Sequence, residues 1–339
     1  MRQTSVVYCP LLLNQLERNA MLATIRLIVA IALAAVHLPS SAQSYPTKPI
    51  RLVVPVATGT PIDILARAVA NKIELGQPVV VELKPGATGA VGAVDVLRQS
   101  ADGYTLMVVF MPMSVAQTIY RNVPFNLRTD FAPIGQLGSF YTVLVVHPSV
   151  KANSARELAD LLKEQPGKLS FSSGGPGTPA HIAGELFKLR TSTSALHIPY
   201  NQFPQAVADL LGGQNQFMFA ATPPMIPHIN AGKLRALAVT SPQRIAALKD
   251  IPTMAEAGFP DFVVRDWLGL VAKTGTPPEV IARVNVAIEK ALATEEVKSI
   301  YAKLGAEIAG GSSEAFGKLI DSEITRWAAV AKAANIKVD

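Results

Sequence analysis

IRLVVPVATGTPIDILARAVA, residues 50–70, decides the fold. Ile50, Leu52, Val53 and Val54 form a short apolar run broken at Pro55, the signature of a buried strand. Ala57-Thr58-Gly59 supplies a turn, and each following residue suits a helix start. Thr60 fits the N-cap, Pro61 the first helical position, and Asp63 the third, where a carboxylate reaches back toward the cap. Ile64, Leu65, Ala68 and Val69 then recur at helical spacing. A strand that feeds a helix N-terminus through a glycine turn converges backbone N–H groups on one point, which suits an anion.

The device recurs. In LSFSSGGPGTPAHIAGELF, residues 169–187, a strand and a Gly-rich turn lead to Gly177-Thr178-Pro179-Ala180-His181, matching Gly59-Thr60-Pro61-Ile62-Asp63. A third copy, Gly275-Thr276-Pro277-Pro278-Glu279, opens the helix carrying Val280, Ile281, Val284 and Ala287. Two readings stay open on the residues alone: an anion site, or this chain's habitual helix start. The third copy follows no Gly/Ser-rich turn and reads as a helix start only.

With 339 residues, 49% hydrophobic and 17% charged, the chain has the material for two globular domains. Of its formal charge of +6, residues 1–42 hold a net +2 through Arg2, Arg18, Arg26 and Glu17, leaving +4 for the rest. Aromatics make up 6% and no Lys/Arg cluster is present, which argues against nucleic-acid binding. A mildly basic surface suits acidic small molecules. Residues 21–42 read as a secretory signal peptide: Arg26, an apolar run from Leu27 to Leu38, then Pro39-Ser40-Ser41-Ala42, with cleavage expected after Ala42. Residues 1–20 do not fit ahead of such a segment, so translation starting at Met21 is the alternative to Met1. The one cysteine, Cys9, lies in the leader, so the mature chain has no disulfide partner and no thiol nucleophile. A periplasmic protein follows.

Strands then alternate with helices: Val79-Val80-Val81, a helix through Val91, Val94 and Leu97, and a strand over 104–110. A short helix over 112–120 and strands over 131–137 and 143–146 follow, then a helix capped by Ser154 with Glu157. The alternation restarts with strands over 169–172, 195–198, 217–220 and 234–239, interleaved with helices over 179–189, 205–211 and 225–231. Thr253 with Glu256 caps an expected short helix, 267–272 is a strand, and helices cover about 277–292, 294–304 and 313–334. Apolar strands alternating with helices imply parallel sheets covered on both faces. The C-terminal segment lacks strands for a sheet of its own and is expected to return to the first unit. Residues 43–142 with 267–339 then make lobe 1 and 143–266 lobe 2, with a ligand cleft at a two-stranded hinge.

These segments carry a family resemblance. YPTKPIRLVVPVATGTPIDILAR (45–67), GQPVVVELKPGATGAVGA (76–93), DGYTL (102–106), FSSGGPGTPAHIAGELF (171–187), HIPY (197–200), LLGGQ (210–214), PHINAGKLRALAVTSPQR (227–244), PTMAEAGFP (252–260) and GTPPEVIARVN (275–285) run collinearly along the mature chain. In these the chain resembles the periplasmic solute-binding receptors of tripartite tricarboxylate transporters, the Bug family. The resemblance implies a two-lobed type II periplasmic binding fold, and a carboxylate ligand held largely by backbone amides of two loops, one per lobe. It also implies delivery of the ligand to membrane permease subunits. The chain is expected to be monomeric, to be no enzyme and to carry no cofactor or metal. The chain departs from the family's usual pattern at Thr60 (a second glycine), Asn201-Gln202 (Lys-Gly), Ala220-Ala221 (a polar pair) and Met111-Pro112-Met113-Ser114 (small hydroxyl and glycine residues). Thr60 is expected to narrow ligand choice, and the methionines to make the cleft more apolar.

The ligand-binding candidates are Ala57, Thr58, Gly59, Thr60 and Asp63 from the first loop, and Ser173, Gly175, Gly177, Thr178 and His181 from the second. Tyr200 and Ala220 at strand ends complete the set. The amides over 58–60 and 175–178 are expected to hold carboxylates. Asp63 reads first as a cap; as a contact it would repel a carboxylate and hold an ammonium or hydroxyl. His181 with Glu185 has the spacing of a metal pair but lacks a third ligand, so packing is the favoured reading. His147, His197 and His228 read as structural. Two rival classes are an exported hydrolase using Ser173 and His181, which lacks a G-x-S-x-G elbow, and a loaded receptor that docks on a membrane sensor.

Overall fold

The computed structural model describes Met21, residues 45–200 and residues 203–336. The expected leader (Met21 apart), with Cys9 and its cleavage site, and the departure at Asn201-Gln202 lie outside the described residues. The chain divides into Met1–Tyr45 and Pro46–Asp339, and the second unit holds the fold.

The first part reads β1 (Ile50–Val54), α1 (Pro61–Ala70), β2 (Val79–Leu83), α2 (Ala90–Leu97), β3 (Thr105–Phe110), α3 (Met111–Ile119) and β4 (Phe131–Val146). Then come α4 (Ala155–Glu164), β5 (Ser170–Ser173), α5 (Pro179–Thr191), β6 (Leu196–Pro199), α6 (Phe203–Leu211), β7 (Phe217–Ala221), α7 (Thr222–Asn230) and β8 (Arg235–Val239). The chain closes with β9 (Arg265–Lys273), α8 (Pro278–Leu292), α9 (Glu295–Lys303), β10 (Glu307–Ile308) and α10 (Ser313–Ala333).

The strand order is β2-β1-β3-β9-β4-β7-β5-β6, with β8 and β10 on β4. Two parallel trios, β2-β1-β3 and β6-β5-β7, occupy the ends, as apolar strands joined by helices require. Between them the expectation of wholly parallel sheets fails, because β9 runs antiparallel to both β3 and β4, and β4 antiparallel to β7 and β8. The strands expected over 131–137 and 143–146 are one strand, β4, spanning both halves. Pro133, Gly135 and Gly138 look like strand breakers, but the register against β9 shifts between Pro133 and Gly135 and between Gln136 and Gly138. Such bulges absorb the breakers and bend the strand.

Buried apolar side chains fill each half: Leu52, Val53, Leu106 and Val108 in the first, Val143, Val145, Met218 and Val239 in the second. The last helix is locked to β9. Trp267 Nε1 (3.1 Å) and Trp327 Nε1 (2.9 Å) both donate to Glu323 Oε2, and the Phe316 ring meets Trp267 edge-on at 5.8 Å. One expected helix is absent. The Thr253–Glu256 capping bonds form (Thr253 N–H to Glu256 Oε2, 2.8 Å; Glu256 N–H to Thr253 Oγ1, 3.1 Å), but they close turns before Gly258. A capping box supplies end bonds, and too few residues follow before the glycine to propagate a helix.

Candidate functional site

Val54 and Leu83 are register partners at the ends of β1 and β2, so the loops that follow leave one sheet edge side by side. Ser173 and Pro199 end β5 and β6 in the same way. Loops at the carboxyl ends of parallel strands are where open α/β sheets bind ligands. The repeated glycine turns stand at these two edges.

Their conformations nearly superimpose. Gly59 and Gly177 have φ of +78° and +79°. Thr60 and Thr178 have φ/ψ of −70°/154° and −68°/156°. Each threonine hydroxyl donates to the carbonyl three residues back, Thr60 to Ala57 at 3.0 Å and Thr178 to Gly175 at 2.7 Å. Each glycine N–H donates to the side chain four residues on, Gly59 to Asp63 Oδ2 at 2.9 Å and Gly177 to His181 Nδ1 at 3.1 Å. The third copy keeps the threonine bond (Thr276 Oγ1 to Lys273 O, 2.8 Å), but its helix starts one residue later, behind Pro277. Among the described residues, no bond joins Gly275 to Glu279. The third copy is a helix start of a different kind.

This geometry corrects which amides are free. Gly59 and Gly177 are committed as above. Gly175 N–H donates to Ser173 Oγ (3.1 Å) and Thr178 N–H to Gly175 O (3.3 Å). Hence the amides expected over 175–178 are used to shape their own turn. Among the described residues, the N–H groups without an acceptor are those of Ala57, Thr58, Thr60 and Ile62 in the first turn and of Gly174, Ala180 and His181 in the second. The difference arises at the cap: Thr60 Oγ1 also accepts from Asp63 N–H at 3.3 Å, whereas Thr178 makes no such bond. Replacing Thr60 by Ala removes both hydroxyl bonds and is expected to cost about 1 kcal/mol, a melting-point drop of roughly 2–4 °C, with Thr60→Ser restoring it. Thermal melts without ligand check this.

The turns differ in charge. Asp63 is buried and ion-paired, Arg67 Nε donating to Oδ1 at 2.7 Å. His181 is buried and uncharged: burial first, then His197 and Lys188, pull its pKa down to about 3. His197, lowered to about 4 by burial and Lys188, stacks on it at 4.1 Å and on Phe171 at 4.9 Å. Ser173 is fully buried and lies 2.7 Å from His197 Nε2, so its imidazole partner is His197 and not the expected His181. Its hydroxyl braces the turn. The Glu185 carboxylate is taken by Lys188 Nζ at 2.8 and 2.9 Å, away from any pairing with His181.

Two expected contacts fall elsewhere. Tyr200 OH donates to Asp209 Oδ2 (2.7 Å) and accepts from Asn215 Nδ2 (3.3 Å), which turns the hydroxyl into its own half of the molecule. Ala220 is fully buried opposite Val143 and packs the core of the second half. Met111 and Met113 are also fully buried, and Met113 Sδ lies 2.9 Å from where a Cβ on Gly89 would stand. The loop 84–89 and Tyr120 next to it were missed by sequence reading, since neither belongs to a repeated motif. A Cβ on Gly177 would lie 2.9 Å from Ile119 Cδ1 and 3.5 Å from Val115 Cγ1, so the second turn abuts α3 of the first half.

A family model described as tripartite tricarboxylate transporter family receptor matches residues 65–336. Protein BugT of Bordetella pertussis is 36% identical over 314 residues, covering 91% of this chain and 96% of BugT. A solved structure of R. palustris Rpa4515 with adipate is 30% identical, with a TM-score of 0.79 and coverage of 86% and 99%. MatC (Rpa3494) from Rhodopseudomonas palustris with bound malate is 27% identical, with a TM-score of 0.76 and coverage of 84% and 99%. Periplasmic binding proteins share the architecture, which is the two-lobed solute-binding fold.

Proposed function

The chain belongs to the tripartite tricarboxylate transporter receptor family, a family of carboxylate-binding receptors, and from that premise we propose that its two glycine turns hold a small carboxylate between the lobes. The observation that carries this reading is the matched pair of turns, each with unpaired N–H groups at a helix start on a strand-end edge. Anions are stabilised there by oriented amides and the helix dipole. The lobes are residues 43–142 with 267–339, and residues 143–266. β4 and β9 form the crossing. The protein is a periplasmic receptor exported by the leader at residues 21–42, monomeric, without catalytic activity, and it delivers its ligand to membrane permease subunits. No described helix is long and apolar enough to cross a membrane.

The test is a thermal melt against short mono- and dicarboxylates with EDTA present. An acid at a hundred times its dissociation constant adds about 2.7 kcal/mol, which for this size raises melting by roughly 5–10 °C. Its methyl ester is expected to give no shift, because a neutral group gains little from the helix termini. Equal shifts by ester and acid would mean that the cleft binds by apolar contact alone.

A further inference from the structure

Four successive residues between β2 and α2 hold positive φ: Gly86 (130°), Ala87 (46°), Thr88 (51°) and Gly89 (90°). Two of these carry side chains, and Thr88 is β-branched, the type least tolerant of this region. Such strain persists where surroundings enforce it, and it clusters at ligand clamps. Here the surroundings are visible. A Cβ on Gly86 would stand 2.9 Å from Val91 Cγ2, and one on Gly89 2.9 Å from Met113 Sδ, so both ends of the turn are pinned.

The pinned turn places Thr88 Oγ1 3.4 Å from Tyr120 OH. That is long for two hydroxyls, which favour about 2.7–2.8 Å. Among the described residues neither hydroxyl has another partner, and both side chains are half-buried. Each keeps donor and acceptor capacity for a third group. Their position is the relevant one. Loop 84–89 leaves the sheet beside loop 55–60, and Pro55 lies 2.7 Å from where a Cβ on Gly92 would stand. Tyr120 follows Ile119, the residue that meets Gly177 of the second turn.

We propose that Thr88 and Tyr120 form a third, uncharged pole of the cleft, which recognises a hydroxyl or carbonyl on the solute's carbon chain. The inference rests on the carboxylate reading above and narrows it to hydroxylated short dicarboxylates over their plain analogues. A bare methylene at this pole leaves both hydroxyls without a third partner, whereas a hydroxyl both donates to and accepts from them.

Length-matched pairs test this: succinate with L-malate, glutarate with 2-hydroxyglutarate, adipate with 2-hydroxyadipate, measured by thermal shift and calorimetric titration. The wild-type protein is expected to favour the hydroxylated member of the best-fitting pair by about tenfold, the value of one well-placed hydrogen bond. Thr88→Gly and Tyr120→Phe should each bring that ratio close to one. Thr88→Gly should do so without lowering the ligand-free melting point, because glycine relieves the positive φ. Equal affinity within every pair, or a ratio unchanged in both variants, overturns the third pole while leaving the carboxylate reading intact. If no acid of any pair shifts melting, the carboxylate reading and this inference fall together.

Discussion

Replacing His181 with aspartate is expected to cost carboxylate binding about a hundredfold while leaving the fold in place. The first turn already shows that the motif accepts aspartate there, since Asp63 takes the Gly59 N–H as His181 takes that of Gly177. The first turn balances that charge with Arg67, four residues on; the second has Glu185 at the matching position. A new carboxylate beside the unpaired Ala180 N–H would have no ion-pair partner of its own, since Lys188, the cation that acts on this position, is held by Glu185. Two like charges about 5 Å apart at an effective dielectric constant of about 20 repel by roughly 3 kcal/mol, which is about two decades in affinity. His181→Asn is the control. Its amide oxygen can take the Gly177 N–H, it is neutral, and it loses the same stacking on His197. Titrating the acid that best stabilises the wild type compares the variants. If the Asp and Asn variants bind alike, charge at this position does not govern the site.

Asp266→Asn is expected to raise stability at alkaline pH, by about 5 °C or more in melting temperature near pH 9. Asp266 lies in β9 opposite Phe140 of β4, where the two halves meet, and it is buried. Burial first, then Glu323, push its carboxyl up to about 8, although it accepts the Met111 N–H at the head of α3. Its Oδ1 has no partner. The folded state therefore keeps a proton that the unfolded chain releases near 3.8. This group's contribution is fully present below that value, declines as pH rises, and is lost above about 8. Asparagine keeps an acceptor for Met111 and has nothing to ionise. The two proteins should thus melt alike near pH 4 and diverge toward pH 9. His181 and His197 act in the opposite sense, losing stability as pH falls from 6.5 toward about 3 and about 4 respectively, and are common to both proteins. Parallel melting curves across pH 5–9 would show that Asp266 has an ordinary pKa.

The strand–turn–helix units and the two glycine turns were legible in the sequence because their determinants are local. Gly59 and Gly177 supply the positive φ, Thr60 and Thr178 the bond three residues back, Pro61 and Pro179 the first helical position. All act within five residues, so pattern and spacing suffice, and the collinear motifs placed the chain in its family. The assignment of amides was not legible. Whether Gly177 N–H faces a ligand or His181 depends on a side-chain rotamer set by the stack on His197 and Phe171. Only the tertiary structure joined Ser173 to His197, Thr88 to Tyr120 and Asp266 to Met111, and only it showed β4 as one strand through both halves. These pairings lie 24 residues or more apart in the chain. No local periodicity encodes them, because they arise from the packing of whole elements, and the same packing buries Ala220 and turns Tyr200 toward Asp209.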